Sequence, residues 1–324
     1  MSGYRVETGP RLHVGFRNLS LERDRLYGAI GIAIDTPRLR VTARPAPGAT
    51  ADPLGVCATL GIDGVATAIE EPLPLHVGLG SGTQTALALA TAASHAAGDP
   101  VDVRTVAPQL GRGGRSGIGV AAFEAGGLIV DAGQPTAAFT ADVPRSGTWT
   151  VPAVTHRARV PPSWRFVLVR PQVQRGRSGD TEETTMRAVI EAADSAPAAA
   201  IDAVVDGQLL PALAAGDLAG FGAALAAIDR HNGRWYTAVQ GGTHRSALDG
   251  LVDALAAVPG CAGAGQSSWG PTVYGVTDHT AAPAVAAAAE AALAARGLAG
   301  TVTVAAARDG GARCVPASTH AERV

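Results

Sequence analysis

The chain has 324 residues, a formal net charge of −2 and 47% apolar residues. That length and apolar share suit one large or two moderate cores. The near-balanced charge excludes a broad basic field for nucleic acid and gives no electrostatic reason to bind a membrane. All 26 basic residues are arginine, which excludes a Walker lysine and Schiff-base chemistry and leaves every cation contact to phosphate or carboxylate to the planar arginine fork.

In chain order, residues 4–16 read as an opening strand that reaches "RLHVGF", and the alternation over 29–44 predicts one or two further strands. "RPAPGATADPLG" at 44–55 is a turn-rich break. "GVATAIEEPLPLHVG" suits a helix or a strand. A helix is predicted over 84–97, started by the glycines before it and stopped by Gly98-Asp99-Pro100, with a shorter one over 102–110. "GRGGRSGIGVAAFEAGGLIVDAG", 111–133, predicts a second glycine-rich loop, a short helix and a strand. Residues 134–160 read as irregular, and Pro161-Pro162 marks a boundary, so 1–160 and 161–324 are expected to be two domains.

Beyond the boundary come a strand at 165–171, the polar loop "QVQRGRSGDTEE", and helices at 182–194, 198–214, 217–230 and 244–256. A loop-to-strand passage at 260–277, a helix at 281–296 and a strand at 300–307 complete the series. Strands alternating with helices indicate an α+β or α/β layering. The N-terminus lacks a positive region followed by a long apolar stretch, and Glu290 interrupts the alanine run, so a cytoplasmic protein with no membrane partner is expected. Cys57, Cys261 and Cys314 lie too far apart for a zinc site or disulfide framework; Cys57 and Cys261 are expected to be buried thiols.

Two stretches carry chemistry. In "PLHVGLGSGTQTALA" at 74–88, Gly78, Gly80 and Gly82 permit a tight turn whose amide hydrogens converge on an anion at the start of the following helix. Ser81 and Thr83 add hydroxyls and Gln84 an amide. In "GRGGRSG", Arg112 and Arg115 stand beside Ser116, a second set of donors for phosphate. Arg11 and His13 alternate along the opening strand and share a face; His13 is either a packed structural histidine or a group at the substrate. Arg170, Arg175 and Arg177 form a further cation group, followed by Asp180, Glu182 and Glu183, in a loop that either is solvated or closes on substrate. Ser267 and Ser268 offer hydroxyls, and Trp269 either stacks on a planar ring or lids the core. "DRHNGRWY", with His231 and Asn232, reads as a loop after a helix, at the substrate or at an interface. Glu124 and Asp131 are further carboxylates; hard oxygen ligands of this kind suit Mg²⁺, and no unique metal residue is assigned.

The first of these stretches resembles the central motif of the GHMP kinase superfamily of small-molecule kinases, with Gly82-Thr83-Gln84 in place of the usual Ser-Ser-Ala. Such kinases often place a catalytic aspartate in a Ser-Gly-x-Asp run; here the matching text is Ser116-Gly117-Ile118-Gly119, and Gly119 cannot accept a proton. "RLHVGF", "LGRGGRSGIGVAAFEAGGLIVDAG" at 110–133, "RPQVQRGRSGDTEE" at 170–183 and "AGQSSWGPTVYG" at 264–275 occur in the expected order over most of the chain. Together they resemble the β-ribofuranosylaminobenzene 5'-phosphate synthase family within that superfamily.

The resemblance implies an α+β, GHMP kinase-like fold with an N-terminal ribosomal-protein-like domain, a C-terminal ferredoxin-like α/β sandwich and the active site between them. It implies an enzyme that joins an aromatic or heteroaromatic carboxylic acid to 5-phosphoribosyl 1-pyrophosphate, with loss of carbon dioxide and pyrophosphate. Mg²⁺ is expected on the pyrophosphate, and a homodimer is expected. The resemblance favours the branch that uses a pyrazole dicarboxylate in formycin- and pyrazofurin-type C-nucleoside pathways; the alternative acceptor is 4-aminobenzoate or 4-hydroxybenzoate, and a further alternative is an ATP-dependent kinase. Under this reading His13, Arg170, Arg175, Ser267 and Ser268 are the catalytic candidates. Arg11, Gly80, Ser81, Gly82, Thr83, Gln84, Arg112, Arg115, Ser116, Arg177, Asp180, Glu182 and Trp269 are the binding candidates.

Overall fold

The computed structural model of the chain describes residues 3–48, 51–140, 144–173, 180–248 and 250–317, apart from the side chains of 180–182. Three antiparallel sheets carry the architecture. The first runs Arg313–Pro316, Tyr4–Thr8, Leu39–Pro45, Val65–Glu71, so the last described strand closes the sheet that the first one begins. The second runs Arg11–Asn18, Arg25–Ala33, Leu128–Asp131, Val154–Ala158, with Gln134–Pro135 also paired to Arg25–Ala33. The third runs Gly263–Gln266, Val273–Asp278, Trp164–Pro171, Gly300–Ala305. This is the α+β arrangement expected from the sequence.

Helix Ser81–Ala97 lies on the first sheet, where its alanines permit close approach and Leu87 and Leu89 meet Val6, Leu39 and Val41. Strand Trp164–Pro171 is buried on both faces, and its alternation sorts it between two cores. Val167 and Val169 face the layer that holds Val285 and Leu293, while Phe166 and Leu168 join the largest core with Leu12, Ile30, Ile32 and Phe221. The long helix Leu218–Gln240, which carries Phe221, therefore packs into a core shared by the second and third sheets. That packing sets the floor of the site.

Several expectations needed correction. Residues 4–16 are two strands, Tyr4–Thr8 and Arg11–Asn18, because the chain passes Gly9 so close to Ile34 that a Cβ there would lie 2.1 Å from the Ile34 carbonyl oxygen. The ambiguous segment is strand Val65–Glu71. The region read as irregular holds strand Val154–Ala158, a sheet edge whose Thr155, His156 and Arg157 are exposed and so leave no apolar alternation to read. The helix predicted to end at 230 continues to Gln240, which makes "DRHNGRWY" helical. Residues Ala196–Ala215 are long and apolar enough, by length and composition, to cross a membrane. Here they form two α-helical pieces around a π-helical turn at Val205–Leu209, with Ile201, Val205 and Leu209 in the core. Cys57 is buried and Cys261 only half-buried.

Candidate active site

A cavity of about 650 Å³ opens where the two glycine-rich loops, strand Arg11–Asn18, helix Leu218–Gln240 and the 266–270 turn converge. That volume lies within the usual range for small-molecule sites.

The first stretch of wall is built for an anion. Gly80 caps helix Ser81–Ala97 in the left-handed region, at φ 71°, with no side-chain cap and no acid in the first turn. The first helical bond runs from Gln84 N to Gly80 O, so the N–H groups of Ser81, Gly82 and Thr83 have no intrahelical acceptor and stand at the positive end of the helix dipole. All three residues line the cavity. Guanidinium groups lie against this turn: a Cβ on Gly80 would sit 3.0 Å from Arg11 Cζ, and one on Gly82 would sit 3.1 Å from Arg112 Nη1. Arg115 and Ser116 line the same cavity.

The second loop is held from behind. Trp149 Nε1 donates to the Arg112 carbonyl at 2.9 Å, and the Asp131 carboxylate accepts from the backbone N–H groups of Ala29, Gly117 and Gly133 at 2.7–3.0 Å. Asp131 is thus a buried backbone clamp, and Glu124 is paired with Arg104. Neither carboxylate lines the cavity, in contrast to the role considered from sequence.

His13 sits at a β-bulge, where the pairing with the neighbouring strand shifts between His13 and Gly15. Bulges re-aim side chains, and this one is pinned on two sides. Asn232 accepts from Phe16 N at 2.8 Å and donates to Phe16 O at 3.0 Å, while His13 N donates to the Ser267 hydroxyl at 3.1 Å and His13 O accepts from Ser268 N. The His13 ring meets Phe16 edge-on and lines the cavity, and its Nδ1 is buried with no hydrogen-bond partner among the described residues. Burial first, then the charges of Arg11 and Arg115, holds its pKa well below the ordinary value of 6.5. The sign of the linkage follows: the unfolded chain takes up a proton near pH 6.5 that the folded chain refuses, so stability present above that pH is lost as pH falls below it. The melting temperature is therefore expected to decline as pH drops from about 7 to 5, with up to about 1.4 kcal/mol per pH unit from this residue. His13→Asn should flatten that slope in calorimetric melts.

The remaining wall comes from helix Leu218–Gln240 and the turns near it. Trp269 packs edge-on against Tyr236, ring centroids 5.0 Å apart, and its indole N–H is buried with no partner among the described residues. Asp229, on the same helix, accepts from His244 Nε2 at 2.6 Å, and both line the cavity. Ser268 holds a left-handed backbone, φ 55°, at the tip of the turn, a strained conformation of the kind that gathers at functional sites.

The structure brings together Arg11, His13, Gly80, Ser81, Gly82, Thr83, Arg112, Arg115, Ser116, Ser268 and Trp269 from the sequence-selected set. It places three others elsewhere. Gln84 is fully buried and spans the Thr8 hydroxyl and the Gly119 carbonyl, so it ties helix Ser81–Ala97 to its neighbour and does not face the cavity. Ser267 is likewise buried; its hydroxyl donates to Gly78 O at 2.9 Å, which makes it a tie between turns. Arg170 lies on strand Trp164–Pro171 away from the cavity wall. Arg175 and Arg177 lie outside the described residues, as do the side chains of Asp180 and Glu182 on helix Asp180–Ala192. The stretch "DRHNGRWY", read from sequence as lying at the substrate or an interface, brings Asp229 and Tyr236 to the cavity, although neither was singled out, and His244 was missed. No local pattern joins the three: Asp229 and Tyr236 stand on a helix, and His244 stands in the turn beyond it. Among the described residues, no group of three or more His, Cys, Asp or Glu side chains is placed to hold a metal ion.

The GHMP kinases N terminal domain family matches residues 50–127, and the GHMP kinases C terminal family matches residues 209–295. The beta-ribofuranosylphenol 5'-phosphate synthase of Methanothermobacter thermautotrophicus is 29% identical over 305 residues, covering 84% of this chain and 88% of that protein. Its counterpart in Archaeoglobus fulgidus is 29% identical over 297 residues, covering 86% and 88%. In fold, the homoserine kinase of Cytophaga hutchinsonii superposes with a TM-score of 0.65 at 17% identity, over 97% of this chain and 98% of that one. The chain belongs to the GHMP kinase superfamily and is related within it to the beta-ribofuranosylphenol 5'-phosphate synthases.

Proposed function

We propose that the protein is a decarboxylating phosphoribosyl transferase that forms a carbon–carbon bond between 5-phosphoribosyl 1-pyrophosphate and an aromatic carboxylic acid. The observation that carries this reading is the convergence, on one cavity, of the first-turn N–H groups of helix Ser81–Ala97 with Arg11, Arg112 and Arg115. Opposite chemistry, the aromatic pair Tyr236 and Trp269, lines the same cavity. The relatives, beta-ribofuranosylphenol 5'-phosphate synthases, favour a hydroxy- or aminobenzoate acceptor over the pyrazole dicarboxylate first expected from the resemblance.

The reaction needs no nucleophile from the protein. The ring carbon that bears the carboxylate attacks the anomeric carbon, and the pair of the breaking C–O bond leaves with pyrophosphate. The bond to carbon dioxide then breaks, and its electrons restore aromaticity. Amide and guanidinium hydrogens aimed at the departing oxygens stabilise charge that grows in the transition state. Mg²⁺ bound with the pyrophosphate would supply charge neutralisation there; among the described residues, no group of three or more His, Cys, Asp or Glu side chains is placed to hold it. His13, neutral by virtue of its burial, adds a hydrogen bond without adding a competing cation. The packed aromatic wall keeps water from the ribosyl cation.

The kinase alternative lacks its base, because position 119 is glycine, and a Cβ there would already lie 3.1 Å from Thr83 Cγ2. The test is incubation of the purified protein with Mg²⁺, 5-phosphoribosyl 1-pyrophosphate and separately 4-hydroxybenzoate, 4-aminobenzoate and 4-aminopyrazole-3,5-dicarboxylate, with product mass, carbon dioxide and pyrophosphate followed. A decarboxylated C-riboside from a benzoate is the expected outcome. Phosphate transfer from ATP with no C-riboside would overturn the reading.

A further inference from the structure

Residues 146–152 run behind the second glycine-rich loop and pack into its glycines. A Cβ on Gly113 would lie 2.8 Å from Val151 Cγ2, one on Gly114 would lie 3.0 Å from Trp149 Cε2, and one on Gly117 would lie 2.8 Å from the Pro152 carbonyl oxygen. The glycines of "GRGGRSG" therefore admit a second stretch of chain as well as a tight turn. That stretch is itself fastened. Gly147 N donates to Pro108 O at 2.8 Å, and Gln134 Nε2 donates to Gly114 O at 2.9 Å and to Thr150 O at 2.8 Å. Val151 is buried in the core that holds Leu87 and Phe123. Trp149 joins stretch and loop twice: its indole N–H donates to the Arg112 carbonyl at 2.9 Å, and the three atoms nearest to a Gly114 Cβ all belong to its ring. Arg112, Gly114, Arg115 and Ser116 line the cavity, whereas Trp149 does not.

We propose that Trp149 is a positioning residue for the diphosphate of the donor: from outside the cavity it sets the backbone from Arg112 to Ser116, and with it the place of both guanidinium groups at the anion site. The identity of the donor rests on the C-riboside synthase reading. A loop with this many glycines loses much conformational freedom when it is ordered. The indole bond and the ring contact hold it in place before the ligand arrives, so binding need not offset that loss. Trp149 thus acts on affinity for a diphosphate. The aromatic pair Tyr236 and Trp269 stands on other elements, outside the reach of the contacts that Trp149 makes.

The test is calorimetric titration with 5-phosphoribosyl 1-pyrophosphate and, separately, inorganic pyrophosphate, each with Mg²⁺ and no acceptor, followed by steady-state kinetics. Trp149→Phe keeps a ring against Gly114 and loses the N–H; Trp149→Ala loses both. Kd for both ligands and KM for the donor are expected to rise about 3-fold in Trp149→Phe and about 10–30-fold in Trp149→Ala, with acceptor KM within about 2-fold of wild type. Gly114→Ala, whose methyl group meets only the indole ring, should weaken both ligands by about 3-fold; added to Trp149→Ala it should cause no further loss, because the ring it presses on is gone. Trp149→Phe and Gly114→Ala carry the same comparison if Trp149→Ala fails to fold. Wild-type affinity in the Trp149 variants, equal rises in donor and acceptor KM, or Gly114 and Trp149 effects that multiply independently would overturn the assignment while the synthase reading stands. Pyrophosphate binding by wild type without a C-riboside from any ring acid would remove the synthase reading and leave the assignment to be decided by the titrations. A wild type that binds neither ligand would remove both.

Discussion

Gly270→Ala is expected to lower kcat/KM by about 10²-fold and to reduce stability by about 1–3 kcal/mol. A Cβ on Gly270 would lie 2.1 Å from Gly78 N and 2.1 Å from Val77 C. Both are backbone atoms, so no rotamer change relieves the overlap. The two turns are also stitched by Ser267 Oγ to Gly78 O at 2.9 Å and Thr272 Oγ1 to Val77 O at 2.6 Å. A methyl group must therefore lever the 266–272 turn away from the phosphate-binding loop. The separation moves Trp269 relative to Gly80–Thr83, which on the proposed reading moves acceptor relative to donor. Gly207→Ala is the control: nothing lies within 4 Å of a Cβ there, and near-wild-type behaviour is expected. Calorimetric melts and initial rates measure both variants. A Gly270→Ala protein with wild-type rates would mean that the approach of the two turns is not needed for activity.

The second large effect is expected at Arg112. Its Nη1 stands against the first turn of helix Ser81–Ala97, 3.1 Å from where a Gly82 Cβ would lie. Charge-assisted hydrogen bonds contribute about 1.5–3 kcal/mol each, so Arg112→Ala should raise the KM for 5-phosphoribosyl 1-pyrophosphate by about 10–100-fold and leave the acceptor KM nearly unchanged. Arg112→Lys should recover only part of the loss, since a point charge does not reproduce the fork. Trp269→Ala should show the reverse split, raising acceptor KM and sparing donor KM. Steady-state kinetics with each substrate varied in turn reads the separation. Parallel changes in both KM values for both variants would refute the division of the cavity.

The glycine-rich loops were legible in the sequence because their signals are local. Glycine spacing marks where the chain turns, and the helix predicted over 84–97 begins at Ser81, directly after the Gly80 cap. Arg11 and His13 were found through the period of a strand, although their final placement depends on a bulge that no alternation announces. Other parts depended on distant partners. "DRHNGRWY" carries weak helix formers at 231–233, yet Asn232 there is buried and holds the backbone of Phe16. Long-range burial extends the helix past the point where propensity would end it. Ser267 and Gln84 looked like ligand donors by residue type; the structure uses both as ties between segments, which only three-dimensional neighbours could reveal. The Asp229–His244 pair exists only once a helix and a later turn meet, so no local stretch of sequence announces it.

The pairing of Arg313–Pro316 with Tyr4–Thr8 has a consequence for biosynthesis. As the chain leaves the ribosome, Tyr4–Thr8 can pair on one side with Leu39–Pro45 early, but its other side stays bare until residue 316 has emerged. A bare strand edge is a template for pairing with other chains. Products truncated shortly before 313 would keep both glycine-rich loops and most of the core, and would still be expected to collect in inclusion bodies.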